Sequence, residues 1–290
     1  MPEPLVSVVV NAFNAERYLA ETLESVFAQT LDDWELIVVD DGSTDRTLGI
    51  ARAASRGREE KVRVLQHPNG GNHGPSLARN RGLDAARGTF VAFLDADDVW
   101  LPDKLEQQVA ILRAHPQAGL TYGRALIWRS WAGTGEADFF YELGLAPDRS
   151  YPAPEVFRRQ LRNVDQTPTT SGSMLRLSLV RELGGFEPPF RGMFEDAVFF
   201  SKILLAADTY VSSRTVFKYR QHPQSASARS AAAGADERAR VRYLRWLARY
   251  VRNSAHASEL TAVRDEIGRV QAHRLKRAIR AAARGLVRRG

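Results

Sequence analysis

The sequence predicts an α/β fold: a Rossmann-like, mostly parallel sheet flanked by helices, with a C-terminal helical extension. Three observations predict it. Apolar β-branched runs alternate with helical-period segments over the first 115 residues, the pattern of strands covered on both faces. Polar clusters at residues 11–14, 40–45 and 95–98 each end one of those runs. Ligands of such sheets bind at the carboxyl ends of the strands. From Ala235 onward the chain is rich in Arg and Ala and reads as helix.

The elements follow in order. Residues 5–10 are a continuous apolar run, the first strand. The run is short and no basic residue precedes it, so it reads as a strand and not a signal peptide. Asn14 is placed to cap a helix that carries Leu19, Leu23, Val26 and Phe27 at helical spacing. Residues 34–40 (WELIVVD) form a second buried strand. Residues 45–54 follow as a helix, for which Ser43 and Thr44 qualify as caps. Residues 62–65 are a third strand, 76–86 a helix, and 89–94 (TFVAFL) a fourth strand running into Asp95. Pro102 sits where a helix can begin, and Leu105, Val109 and Leu112 form its apolar stripe. Residues 120–128 read as a strand. Residues 129–170 read as irregular, an acceptor-binding insertion or mobile loop. Residues 173–177 suggest a strand, 195–206 an amphipathic helix, and 210–219 a hairpin or two short strands.

Length and composition narrow the function. A chain of 290 residues accommodates one large α/β domain and an appendage. The absence of cysteine excludes disulfides, thiolate metal sites and a cysteine nucleophile, and it fits a reducing cytosol. A net charge of +7 favours phosphates, anionic membranes or nucleic acid without choosing among them. No stretch approaches 18 apolar residues, so no transmembrane helix is expected.

Four constellations carry chemistry. Asp95-Ala96-Asp97 follows a buried strand directly, and two carboxylates one residue apart can converge on a hard cation such as Mg²⁺ or Mn²⁺. Such a cation would stabilise a diphosphate leaving group. The plain alternative is a polar turn with helix-capping acids. Asp40-Asp41-Gly42-Ser43 ends the second strand, where a carboxylate can accept from a base N–H or a ribose hydroxyl, and Asp40 is the more structural member. Glu195-Asp196 opens a helix. Acids there suit the helix dipole, and one can also serve as a general base. His222, in YRQHP, is either a metal ligand or an ordinary loop histidine.

The segments VSVVVNAFNAERYLAETLESVFAQT, WELIVVDDGSTDRT and SLARNRGLDAARGTFVAFLDADDVWLPDKL resemble glycosyltransferase family 2, the inverting GT-A transferases. GGFEPPFRGMFEDAVFFSKIL and YRQHPQSAS are similar more loosely. The resemblance implies a GT-A catalytic domain over residues 1–227. Residues 1–115 would bind the nucleotide sugar, and 116–227 would hold the acceptor and the base. The basic extension, 228–290, has no such likeness. It further implies that Asp41 binds the nucleobase, that Asn11 and Phe13 line the base pocket, and that Asp95 sits near the ribose or diphosphate. Gly172 would lie near the transferred sugar, and Arg79 and Asn80 on the helix before the Asp motif, with Arg79 on the donor side. Asp97 would be the principal metal ligand, with His222 completing that site. Asp196 would be the catalytic base, with Glu195 beside it contacting the acceptor. Phe13 stands where the family often has Tyr, so the ring can stack on a base without a hydroxyl.

The expected activity is inverting transfer of a hexose or N-acetylhexosamine from a UDP-sugar, with Mn²⁺ or Mg²⁺ as cofactor. The acceptor is a hydroxyl of a glycan, lipid-linked or other molecule, in bacterial-type surface glycan synthesis. The rivals are a nucleotidyltransferase, which should carry a Gly-rich basic loop where this chain has residues 11–17 without glycine, and a catalytically silent nucleotide-sugar binder, which should lack one of the acids. The tail from Arg274 to Arg289 carries seven Arg or Lys and no acid, with Leu275, Ile279, Ala282 and Leu286 on one face. It reads either as a membrane-surface helix or as a solvated helix packed on the domain. Nucleic acid is not expected, because no aromatics interleave with these cations. The protein is expected in the cytoplasm, with peripheral contact at the inner membrane face as the membrane-surface alternative.

Overall fold

The computed structural model describes residues 3–225, 228–229 and 236–287, apart from the side chains of 236, 274–275 and 277–287. It divides into two units, residues 1–223 and 224–290. In the first unit, strands β1 (Val6–Ala12), β2 (Trp34–Asp40), β3 (Val62–Gln66) and β4 (Phe90–Asp95) pair in parallel in the order β3-β2-β1-β4. Every residue of β2 is buried, and only Asn11 of β1 is not. A strand hidden on both faces favours side chains that lose nothing by leaving water, hence the apolar runs, in which buried Ser7 donates to buried Glu35 at 2.7 Å. The register sets Ala12 beside Asp40 and Asn11 beside Asp95, so the polar ends of three strands lie level.

Helices α1 (Leu19–Phe27), α2 (Thr47–Ser55), α3 (Pro75–Ala85) and α4 (Lys104–Ala114) connect these strands and the next, and a short β5 (Val99–Trp100) precedes α4. The caps differ from expectation. Asn14 lies outside α1 at φ 49°. Its side-chain oxygen accepts the Thr44 N–H at 2.9 Å, while its own N–H donates to Ser43 Oγ at 3.0 Å. Asn14 and Ser43-Thr44 thus tie two strand-end loops together instead of capping helices. Asp45 takes over at α2, accepting the Thr47 N–H at 2.9 Å.

The second half of the sheet is mixed. It comprises β6 (Ala118–Trp128), β7 (Phe139–Phe140), β8 (Arg149–Tyr151), β9 (Ser173–Arg176) and β10 (Asp208–Arg220). β9 lies antiparallel between β4 and β6 and joins the two halves. β10 is one long strand parallel to β6, not the expected hairpin. Ser212-Ser213-Arg214 interrupts the regular pairing of β10 with β6. In the fold it is a bulge, anchored where the Ser213 N–H donates to Asp148 at 2.9 Å. The region expected to be irregular contains β7, β8 and α5 (Glu155–Arg162), which buries Val156, Phe157 and Leu161. Helix α6 (Leu177–Glu182) follows β9, and α7 (Glu195–Ala206) spans the expected residues.

In the second unit, α8 (Asp236–Arg252) and α9 (Leu260–Val287) are linked by an ion pair between Arg240 and the buried Glu266. Among the described residues no helix is long and apolar enough to cross a membrane. Most side chains behind the membrane-surface reading, those of Arg274, Leu275, Arg277, Ile279, Arg280, Ala282, Arg284 and Leu286, lie outside the described residues, as do Arg288 and Arg289.

Candidate active site

The site forms where the C-terminal ends of β1, β2 and β4 meet the start of α7 and the end of β10. Its organiser is Arg79 on α3, whose side chain is only 4% exposed. Nε donates to Asn11 at 3.1 Å, Nη2 to Asp95 at 2.7 Å and Nη1 to Glu195 at 3.3 Å. One guanidinium thus bridges β1, β4 and α7, and it brings the acids of residues 95 and 195 together across 100 positions of sequence. Burial disfavours its charge, but Asp95 and Glu195 outweigh that and hold it protonated. Three of its N–H donors are thus spent on protein groups, and Arg79 ties the site together. Asn80 beside it brackets Phe186, accepting its N–H and donating to its carbonyl, both at 2.8 Å. Arg79→Met should lower stability by about 3–5 kcal/mol at neutral pH, because two carboxylates lose their buried cation. Urea unfolding checks this, and a loss below about 1 kcal/mol contradicts it.

Asp95 also accepts from Thr170 Oγ1 at 2.8 Å. Ser171 donates to Asp98 at 2.6 Å and accepts the Asp95 N–H at 3.2 Å. Gly172, expected at the sugar, is buried. A Cβ there would lie 2.9 Å from Thr169 Oγ1 and 3.0 Å from the Phe217 ring, so glycine permits close packing beneath the site. The loop meets the acids through Thr170 and Ser171. Three consecutive carbonyls of this loop are held from below: Trp100 donates to that of Ser171, Gln108 to Gly172 and Lys104 to Ser173.

Asp97 and His222 come together from β4 and the end of β10, with Nε2 at 2.9 Å from Oδ2. The imidazole is buried and packs on Tyr18, ring centroids 4.5 Å apart. Arg220 fixes the turn that carries Asp97. Its Nε donates to the Asp97 carbonyl at 2.8 Å, and its backbone N–H donates to Asp98 at 3.1 Å. Asp98 is buried, and desolvation with the nearby Asp97 and Asp95 pushes its carboxyl well above the usual range. Sequence reasoning missed Asp98, Thr170, Ser171 and Arg220. Asp98 and Arg220 border expected site residues, which was the one available signal. Thr170 and Ser171 had none beyond their place beside Gly172.

Glu195 and Asp196 open α7 after Phe194, whose φ is 71°. Burial and Asp196 push the Glu195 carboxyl up to about 7, against the pull of Arg79. Burial also raises Asp196, which accepts the Ala197 N–H at 2.7 Å. Among the described residues no cation forms an ion pair with Asp196.

Phe13 is 45% exposed at the end of β1, as a stacking ring requires. Asp41 is 3% exposed and already occupied. It accepts the N–H groups of His73 and Gly74, each at 2.8 Å, and the Asn72 amide at 3.0 Å, with His67 Nε2 at 3.2 Å. Here it organises residues 72–74. Gly42, at φ 76°, allows that segment to approach, since a Cβ would fall 2.6 Å from the Gly71 carbonyl carbon. Asp40 lies behind it, buried against Gln66.

Known proteins share the sequence pattern and the fold of this chain. The chain is 38% identical over 112 residues to the Escherichia coli protein named UDP-Glc:alpha-D-GlcNAc-diphosphoundecaprenol beta-1,3-glucosyltransferase WfgD, covering 39% of this chain and 42% of that protein. It spans about half the length of the curated relatives it matches. The fold is shared with S. aureus TarS 1-349 in complex with UDP-GlcNAc, at TM-score 0.71 and 22% identity over 92% of this chain and 71% of that one. It is also shared with mannosyltransferase PcManGT from Pyrobaculum calidifontis in complex with GDP-Man and Mn²⁺, at TM-score 0.61 and 19% identity over 99% of this chain and 81% of that one. The model of glycosyl transferase family 2 matches residues 7–184, more than half of the chain and the stretch that unites Asn11, Asp41, Arg79 and Asp97, and the chain belongs to that family.

Proposed function

We propose that this protein transfers a hexosyl or N-acetylhexosaminyl group from a UDP-sugar to an acceptor hydroxyl, with inversion at the anomeric carbon, in the assembly of a bacterial surface glycan. The observation that carries the reading is the Arg79 bridge, which joins the acids at the end of β4 to the acids that open α7. A displacement at the anomeric carbon needs a charge-binding group for the departing diphosphate and a base for the incoming hydroxyl, and no protein nucleophile. Asp97 with His222 would hold the cation that supplies the first, and Asp196 supplies the second. Asp196 suits the base role because among the described residues no cation pairs with it and Arg79 acts on it only at longer range, whereas Glu195 pairs with Arg79.

Among the described residues no group of three or more His, Asp and Glu could hold a metal. The Asp97–His222 pair nevertheless fits Mn²⁺ or Mg²⁺, which usually take few protein ligands and complete their shell with substrate phosphates and water. His222 Nδ1 is buried with no hydrogen-bond partner, so stacking on Tyr18 orients the ring. When bound, the cation would neutralise charge on the leaving diphosphate. The base pocket takes its stacking surface from Phe13 and its shape from residues 72–74, which Asp41 holds.

A thermal-shift screen of UDP-, GDP- and dTDP-sugars tests this. A UDP-sugar at 100 times its Kd, with Mn²⁺, should raise Tm by about 5–10 °C. The same shift without Mn²⁺ contradicts the metal role, and no shift with any UDP-sugar contradicts the donor.

A further inference from the structure

We propose that Arg191 is a positioning residue that couples the nucleobase pocket to the catalytic base, so that filling the pocket fastens the segment leading into Asp196. The inference rests on the transferase reading and adds a coupling between two parts of that site.

Residues 183–194 join α6 to α7 without forming a helix or strand. The segment turns through left-handed backbone near both ends, at Gly184 (φ 75°) and Gly185 (φ 62°) and again at Phe194 (φ 71°). Between these turns it is strapped along α3. Asn80 brackets Phe186, Ser76 Oγ donates to the Phe190 carbonyl at 2.6 Å, and Arg191 Nη2 donates to the Asn72 carbonyl at 2.9 Å. The partners descend from residue 80 to residue 72 as the strap ascends, so it runs antiparallel to α3 and passes beyond its N-terminus. Its first half is anchored a second time, by Glu187 to Lys202 on α7 at 2.8 Å. Beyond Phe190, Arg191 ties the strap to residues 72–74. Gly74, at φ 90°, permits that approach, since a Cβ there would fall 3.1 Å from Arg191 Nε. Arg191 is exposed, and among the described residues no carboxylate pairs with it, so the Asn72 carbonyl is its anchor.

Two parts of the site meet at this contact. On one side, residues 72–74 are those that Asp41 holds and that shape the base pocket. On the other, the strap runs from Arg191 straight into the acids, and the Glu195 N–H donates to the Gly192 carbonyl at 3.3 Å. Phe194 opens α7 at a positive φ, which a bulky side chain adopts only where its surroundings impose it. A loosened strap lets Phe194 relax and shifts the first turn of α7, with Asp196 on it. A base ring seated against residues 72–74 restrains them, and Arg191 passes that restraint to the strap. Order imposed at one site thus lowers the cost of order at the other.

The test is hydrogen–deuterium exchange on the full chain, free and saturated with UDP and Mn²⁺. In wild-type protein UDP should slow exchange in residues 72–74 and also in residues 186–193, the strap short of the acids. In Arg191→Ala the protection of 72–74 should remain, and the UDP-dependent protection of 186–193 should fall by about five- to tenfold. Arg191→Lys keeps the charge and one donor and should recover part of it. The kcat of transfer by Arg191→Ala should fall by a similar factor. A purely structural role would speed strap exchange by the same ratio with and without UDP, and that result overturns the proposal. So does wild-type protein in which UDP protects 72–74 alone. Protection of neither segment by UDP sinks the donor reading, and this one with it.

Discussion

Asp97→Asn is expected to lower kcat/KM for sugar transfer by about 10²–10³-fold and to abolish the response to Mn²⁺. The substitution preserves shape. Arg220 still holds the residue 97 carbonyl, and the Asn amide can still meet His222. What disappears is one negative charge that would hold the cation against the departing diphosphate. The cation's neutralising charge would matter most in the transition state, when the leaving group gains charge of its own, so kcat should fall more than donor affinity. Folding should not suffer. Asp97 is one of the two neighbouring carboxylates that push buried Asp98 upward, so removing its charge relieves repulsion. The metal-free Tm should therefore hold or rise while the Mn²⁺-dependent increment vanishes. Wild-type turnover, or an undiminished Mn²⁺ response, would remove Asp97 from the metal site.

Asp196→Asn should cut kcat by about 10²–10⁴-fold with little change in donor KM. Asn cannot take the proton of the attacking hydroxyl but occupies the same space. Wild-type rate should rise with pH, because the base works deprotonated. Its limb belongs to the coupled Glu195–Asp196 pair, with Glu195 pushed up to about 7. Glu195→Gln removes a like charge beside Asp196, so the limb should move to lower pH. Stability moves the other way from activity. The Glu195 carboxyl sits above its unfolded value of 4.5, so the folded state binds the proton more tightly. The stabilisation from this group is complete below about pH 4.5 and is lost as pH rises through about 7. A rate limb that stays in place in Glu195→Gln would show that the two carboxyls do not titrate together.

Much of the site was legible because it lies at strand ends. A buried parallel strand is mostly apolar, so a cluster of polar residues at its end marks the sheet edge where ligands bind. That is why Asn11, Asp41 and Asp95 could be read from spacing and Glu195–Asp196 from a helix start. Roles were less legible than positions. Sequence did not show that Arg79 bridges three elements, that Asp41 holds residues 72–74, or that Gly172 packs against Phe217. In each case the deciding partner lies far along the chain.

The sequence by itself determined the alternation of strands and helices, the strand ends that carry the acids, and the family. These follow from local periodicity and from short motifs with their own polarity. Only the tertiary structure decided how the sheet closes. β9 inserts antiparallel between β4 and β6, and a bulge keeps as one strand what reads as a hairpin or two short strands. Only it showed that a single buried guanidinium joins residues 11, 95 and 195, and that His222 meets Asp97. Burial and long-range pairing fix which group faces which, and those are properties of the folded chain that no window of sequence contains.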